Sequence, residues 1–434
     1  MSLTPRPPGT PPDSRPDRPA AAGQEVARAP DAVRRVGLLL TLVLGSLSAL
    51  APLSMDMYLP SLPRVTAALH TSDAMVQLSL TACLVGLALG QLVAGPLSDA
   101  LGRRRPLLVG LALYTLSTAC CAAAGDVRLL IACRVVQGLS GAAGIVIARA
   151  VVRDLFSGLA AARFAATLML VSGSAPLLAP VLGGQVLRFT TWRGVFVVLT
   201  VLGAVMLAGT ALLVRETLPP GQRRRGGLPD TLRTMRELLS DRLFSAYLLI
   251  VAFGFGALFA FISGSPYVVQ EVYHGSPQRF SLLFALVEAG LVGMSQLTAR
   301  LLLGRFGSHR IQLAGAAVLT LSGAALVFMT ASHRGGLAGL TAGLFAMAAG
   351  LGTVSPPSSA LALQRAPHAA GTASALLGTV QFLTGALAPA LVGLGGHDSA
   401  LPMAVVILGM ALAALASFVL LARPWRPAPD PLRG

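Results

Sequence analysis

Lysine is absent from this 434-residue chain, so all 33 of its basic side chains are arginines. That absence excludes a phosphate-binding loop of the G-x-x-x-x-G-K-[ST] kind, whose lysine contacts the nucleotide phosphates, and with it energy drawn from ATP bound to this chain. Charge of either sign is also scarce. Only 12% of residues are charged against 54% hydrophobic, which would leave a soluble domain of this length with too little polar surface. The four cysteines, Cys83, Cys120, Cys121 and Cys133, lie in apolar stretches without metal-ligand spacing and read as small buried hydrophobes. No His/Cys/Glu cluster has metal spacing, and no Gly-x-Ser-x-Gly elbow offers a nucleophile. An enzyme, a resident metal and a cofactor are therefore not expected.

What is present is a succession of long apolar runs. Segments of roughly 18–25 apolar residues, enough to cross a hydrocarbon core as helix, recur along nearly the whole chain. Twelve are expected, at 36–59, 74–98, 106–124, 128–150, 162–187, 193–214, 243–268, 280–303, 311–331, 335–360, 369–394 and 401–421. The fold class is thus an all-α membrane protein. The net charge of +16 would suggest nucleic acid in a soluble chain, but here the arginines follow topology. With the amino terminus in the cytoplasm, roughly 26 of the 33 fall in tails and cytoplasmic loops, as the positive-inside rule expects. The partners implied are a lipid bilayer and no nucleic acid. Both termini should be cytoplasmic.

Residues 1–35, rich in Pro, Arg, Asp and Ala, read as a disordered cytoplasmic tail, and 422–434 as a second tail. Six spans (36–214) precede a polar cytoplasmic linker at 215–242, and six (243–421) follow it. The run from Gly95 to Pro106, with Asp99, Gly102 and Arg103-Arg104-Arg105, fills the gap after the second span. The run Gly304-Arg305-Phe306-Gly307-Ser308-His309-Arg310 occupies the same place in the second half, with Gly304 where Asp99 would stand. Such degenerate duplication builds two-bundle transporters, with a site between the halves near the midplane.

Within the spans, ionisable and polar residues are few enough to weigh singly. Asp56, between Pro52 and Pro60, is a desolvated carboxylate that can take up a proton near neutral pH, or else an interfacial cap that stays ionised in water. A straight helix from Val36 would put it in the outer half of the first span. Arg134 starts about six residues into the fourth span and either snorkels to the interface or is buried beside Gln137, above a stripe of Gly138, Gly141 and Gly144. Buried, it would favour the charged form of an acidic partner. In the fifth span Pro176 and Pro180, with Gly183 and Gly184 beyond them, kink a helix and flatten one face. Glu288 lies mid-span, and an intramembrane acid is a candidate for substrate or proton binding. Tyr58, Phe255, Phe259, Tyr267 and Gln381 could line a cavity for a neutral drug, or simply pack.

Taken in order, these motifs carry a resemblance. They include Met55-Asp56-Met57-Tyr58-Leu59-Pro60, the 95–106 loop, Arg134-Val-Val-Gln137-Gly138, and Ala179-Pro180-Val-Leu-Gly183-Gly184. Ser265-Pro266-Tyr267 with Glu271, and Pro367-His368-Ala-Ala-Gly371-Thr372-Ala373-Ser374, complete the series. The chain resembles the major facilitator superfamily, and within it the Bcr/CflA-type drug:proton antiporters of bicyclomycin and chloramphenicol resistance. The resemblance implies twelve helices in two six-helix bundles, acting as a monomer in the cytoplasmic (inner) membrane. It implies efflux of a small-molecule drug in exchange for protons, with Asp56 binding proton and substrate and Arg134 as the relay arginine. It also implies gating by Asp99, Gly102 and Arg103, an ion pair from Arg103 to Asp154, and an antiporter motif at Pro176, Pro180, Gly183 and Gly184, with Ala179 in place of the usual glycine. An endogenous metabolite, peptide or amino acid as cargo stays open, and so does a transport-dead sensor or scaffold.

Overall fold

The computed structural model describes residues 31–155, 158–219, 221, 223, 228–396 and 399–422. Of the expected tails 1–35 and 422–434, residues 1–30 and 423–434 lie outside the described residues, as does the linker run from Arg224 to Gly227, whereas 31–35 are helical and open the first span. Twelve long helices and two short ones account for nearly all of the rest, with no strand among the described residues. The first half comprises α1 (Asp31–Asp56), the short α2 (Leu62–Ala68), α3 (Asp73–Leu101), α4 (Arg104–Ala123), α5 (Val127–Leu155), α6 (Gly158–Phe189) and α7 (Trp192–Leu213). The linker holds α8 (Leu228–Ser240). The second half comprises α9 (Arg242–Tyr267), α10 (Pro277–Leu297), α11 (Ser308–Ala331), α12 (Gly336–Gln364), α13 (Ala370–Leu394) and α14 (Leu401–Ala416).

Where these helices start follows from local capping. Ser72 accepts the Met75 amide before α3, Ser276 accepts that of Arg279 before α10, and Asp241 accepts those of Leu243 and Phe244 before α9. Each satisfies an otherwise orphaned donor. The expected spans match these helices within a few residues, with two differences. The first span does not end at 59: a turn and a short 3₁₀ segment, Leu59–Ser61, carry it on through α2 to Ala68. Pro60 and Pro63, each at the start of a new helical piece, are tolerated there because the first helical amides need no intrahelical acceptor. Second, the linker is helical over α8, whose Met235 and Leu238 are buried against the second half.

Burial sorts the spans into central and peripheral. The most apolar window is 78% buried in both the first span and α9 and 67% in α5, but only 33% in α7 and α11, whose leucines and valines face outward where lipid belongs. Helices approach closely where glycine removes the side chain. At Gly138 in α5 an added Cβ would stand 2.1 Å from the Cys83 carbonyl oxygen of α3, so nothing larger fits without moving a backbone.

The two halves are sewn together on the face opposite the linker. The Gln77 side chain donates to the Ser263 carbonyl (3.3 Å), that of Gln270 to Pro60 (3.2 Å), and the Ser281 hydroxyl to Pro180 (2.7 Å). Tyr267 and Thr66 meet hydroxyl to hydroxyl at 3.3 Å. On the linker face the bundle ends diverge around a cavity of about 600 Å³, lined from the first half by Gln91, Ser98, Asp99 and Arg103 and from the other side by Thr231 of α8 and Thr372 of α13.

Candidate functional site

Two polar constellations stand out, one on the linker face and one deep in the spans. On the linker face, Gly102 ends α3 with φ +92°, a conformation that L side chains rarely adopt. The turn it permits folds Arg103 back into the bundle. There its Nε donates to Asp154 at 2.9 Å, and its terminal nitrogen donates to Ser98 at 2.8 Å and to Asp99. Burial works against this charge, but the bonds to Asp154 and Asp99 outweigh it and hold the guanidinium above its usual pKa.

A carboxylate not anticipated from the sequence completes the clasp. Glu216, just after α7, accepts the Arg103 amide at 2.8 Å, the Arg104 amide at 3.3 Å and the Leu218 amide at 3.1 Å, closing the amino terminus of α4. Burial pushes this acid up, yet the three amides and Arg223 prevail and hold it below its ordinary value. The readable signal was an acid immediately after the sixth span, in Arg215-Glu216-Thr217.

Asp99, named for gating, lies at the mouth of the linker-face cavity. It pairs with Arg103 in its own bundle, and on this face the bundles stand apart. The second half, lacking an acid at Gly304, builds its own clasp from Asp241 at the start of α9 and Arg365 after α12, 2.7 Å apart.

The clasp gives a prediction. Alanine at Gly102 would place its Cβ 2.4 Å from Glu216 in a backbone region that is otherwise almost glycine-only. Gly102→Ala should therefore cost about 1–3 kcal/mol. Thermal unfolding of the purified protein measures it, and an unchanged midpoint would contradict the clasp.

Deep in the spans, Arg134 is fully buried and does not snorkel. Its guanidinium donates to the Ser54 carbonyl at 3.0 Å and to Gln137 Oε1 at 2.6 Å, touches Met55 Sδ at 3.4 Å, and lies over the Tyr58 and Phe196 rings at 5.1 and 5.9 Å. Gln137 passes the chain on to Thr118 Oγ1 at 2.8 Å, Thr118 to the Tyr114 carbonyl at 2.6 Å, and the Tyr114 hydroxyl meets Ser54 Oγ. The result is a closed ring of polar groups tying α1, α4 and α5 together. Arg134 Nε alone in it has no partner.

Asp56 stands beside this ring and does not join it. It is 5% exposed and has no hydrogen bond or ion pair among the described residues; Arg134 reaches it only through space. The helical path continues through α2 to Ala68, so Asp56 lies twelve positions before its end, in the outer half of the first span. The α6 motif seats it: Gly183 meets the Met57 carbonyl, where a Cβ would be 2.1 Å away, and Pro180 accepts from Ser281 of α10. Gly184 faces the same serine. Prolines 176 and 180 both lie inside α6.

The remaining expected cavity residues are dispersed. Tyr58 is held on Arg134, and Gln137 in the ring. Tyr267 sits in the closed far face, and Phe259 packs on Phe382 at 6.2 Å. Phe255 and Gln381 are half-buried, and Glu288 is 2% exposed. None of the seven lines the linker-face cavity.

Residues 44–389 match the Major Facilitator Superfamily. The chain belongs to that superfamily. It is 42% identical over 376 residues to the uncharacterized MFS-type transporter YdgK of Bacillus subtilis, covering 85% of this chain and 92% of that one. It is 32% identical over 369 residues to a bicyclomycin resistance protein homolog of Haemophilus influenzae, covering 83% and 90%. Among solved structures it superposes on a D-xylose-proton symporter with a TM-score of 0.70 at 15% identity, covering 91% of this chain and 98% of that one. That likeness concerns the fold. This is a multi-pass membrane transporter of two six-helix bundles.

Proposed function

We propose that this transporter, a monomer in the cytoplasmic membrane, exports small antibiotic-like molecules in exchange for protons, with no bound cofactor. The observation that carries the reading is Asp56: a buried carboxylate within the first span, without a hydrogen bond or ion pair among the described residues, seated by the proline-glycine face of α6 and within electrostatic range of a buried arginine. A buried acid without a counter-charge is costly when ionised, so it holds a proton until something takes its place. Substrate enters from the linker face, which the arginine distribution makes cytoplasmic. It binds as Asp56 gives up its proton, and protonation from outside releases it after the bundles rock. The Arg103 clasp gates the inner mouth. Each proton returning inward contributes about 2.3 kcal/mol per 100 mV of membrane potential.

A drug panel on cells expressing the chain tests this. Raised tolerance to chloramphenicol or bicyclomycin that disappears with a protonophore is expected. Unchanged tolerance across the panel would remove the drug-efflux reading.

A further inference from the structure

The linker helix α8 covers only part of its apolar face. One flank is turned to the protein: Met235 and Leu238 are buried against the second half, and Thr231 and Met235 line the linker-face cavity. The next flank carries Leu232 and Leu239, which are 56% and 47% exposed. These two leucines stand on one stripe, since seven residues are almost two turns of helix.

Two hydrogen bonds fix the level at which that stripe lies. The Leu239 carbonyl accepts the Ser245 hydroxyl at 2.7 Å, from the first turn of the α9 span, so α8 ends against the side of a membrane-crossing helix. The Arg242 guanidinium, at the start of the same span, donates to the Leu420 carbonyl at 2.6 Å. Leu420 is itself exposed, near the end of the last span. Leu239 therefore continues the rim of outward-facing leucines at which the spans meet the leaflet on the linker side.

The charges beside the stripe are ordered. Arg236, about 40° round the helix from Leu232, is exposed and borders it. Glu237, about 140° round, faces away and pairs with Arg233 at 3.2 Å. Over 215–242 the chain carries seven arginines against four acids, so the segment as a whole is drawn to negative charge. Apolar side chains bordered by arginine at the edge of a span are the pattern of a helix lying in the membrane interface.

We propose that α8 docks on anionic phospholipid of the leaflet on the linker side, Leu232 and Leu239 entering the acyl boundary and Arg236 meeting the headgroups. This docking needs neither cargo nor proton. Because the opposite flank of α8 walls the cavity, the charge of the leaflet sets how firmly that wall is held.

Hydrogen–deuterium exchange of the full-length protein in nanodiscs of phosphatidylcholine, alone or mixed with phosphatidylglycerol, tests this. Amides of 228–240 in the wild type should exchange on the order of fivefold more slowly in the mixed discs, the worth of one arginine at an anionic surface. Arg236→Glu should abolish that difference and Arg236→Lys should keep it. Leu232→Ser with Leu239→Ser should speed exchange of α8 in both discs, while α11 exchanges as in the wild type and reports an intact fold. Equal exchange of 228–240 in the two discs overturns the docking without any variant. Unchanged lipid dependence in folded Arg236→Glu overturns it too, and exchange indifferent to the leucine pair assigns the stripe to some other occupant and overturns it as well.

Discussion

Asp56→Asn is expected to reduce proton-driven efflux to the level of empty vesicles while leaving insertion and folding intact. Asparagine preserves the shape of the side chain, so Gly183 still seats Met57, and no hydrogen bond or ion pair is lost because Asp56 has none among the described residues. Only the titratable proton is removed. Energised membrane vesicles, with and without a protonophore, distinguish the outcomes. Residual efflux in Asp56→Asn that still collapses with the protonophore would move the coupling acid elsewhere, with Glu288 the next residue to exchange.

Arg134→Ala should produce the second large effect, and of a different kind. The substitution opens the polar ring, leaving the Ser54 carbonyl and Gln137 Oε1 without their donor. Each buried group so orphaned costs about 1–3 kcal/mol. It also withdraws the positive charge that favours the ionised form of Asp56. Substrate binding should persist, weakened, while its exchange for protons is lost. Arg134→Lys should not restore coupling, because an ammonium has no planar fork to hold the Ser54 carbonyl and Gln137 together while lying across two rings. Full coupling in Arg134→Lys would show that charge alone suffices.

Much of this architecture was legible in the chain itself, for physical reasons. A hydrocarbon core imposes a length and a polarity on every span, so twelve apolar runs could be counted directly. Gly102 and Arg103 were legible as a turn glycine beside a fixed charge at a span end, while the pairing of Arg103 with Asp154 followed from the family resemblance. The continuation of the first span past Tyr58 was not, since Pro60 and Pro63 read as terminators unless each opens a new helical piece. Nor was the Glu216 clasp, which depends on the end of α7 returning beside the start of α4, over a hundred positions away. Least legible was the relation of Asp56, Arg134 and Glu288. Spacing marks each as buried, but which pairs meet is decided by how α6 wedges between α1 and α10, and no pattern within one helix encodes that.

The central claim is that substrate and protons move in opposite directions through this one chain. The direct test is purified protein in sealed liposomes with an acidic lumen and a pH-sensitive dye trapped inside. Labelled chloramphenicol or bicyclomycin added outside should accumulate against its gradient while the lumen turns alkaline in step, and collapsing the pH difference should stop both. Accumulation with no accompanying movement of protons, or accumulation that survives loss of the gradient, would contradict the account.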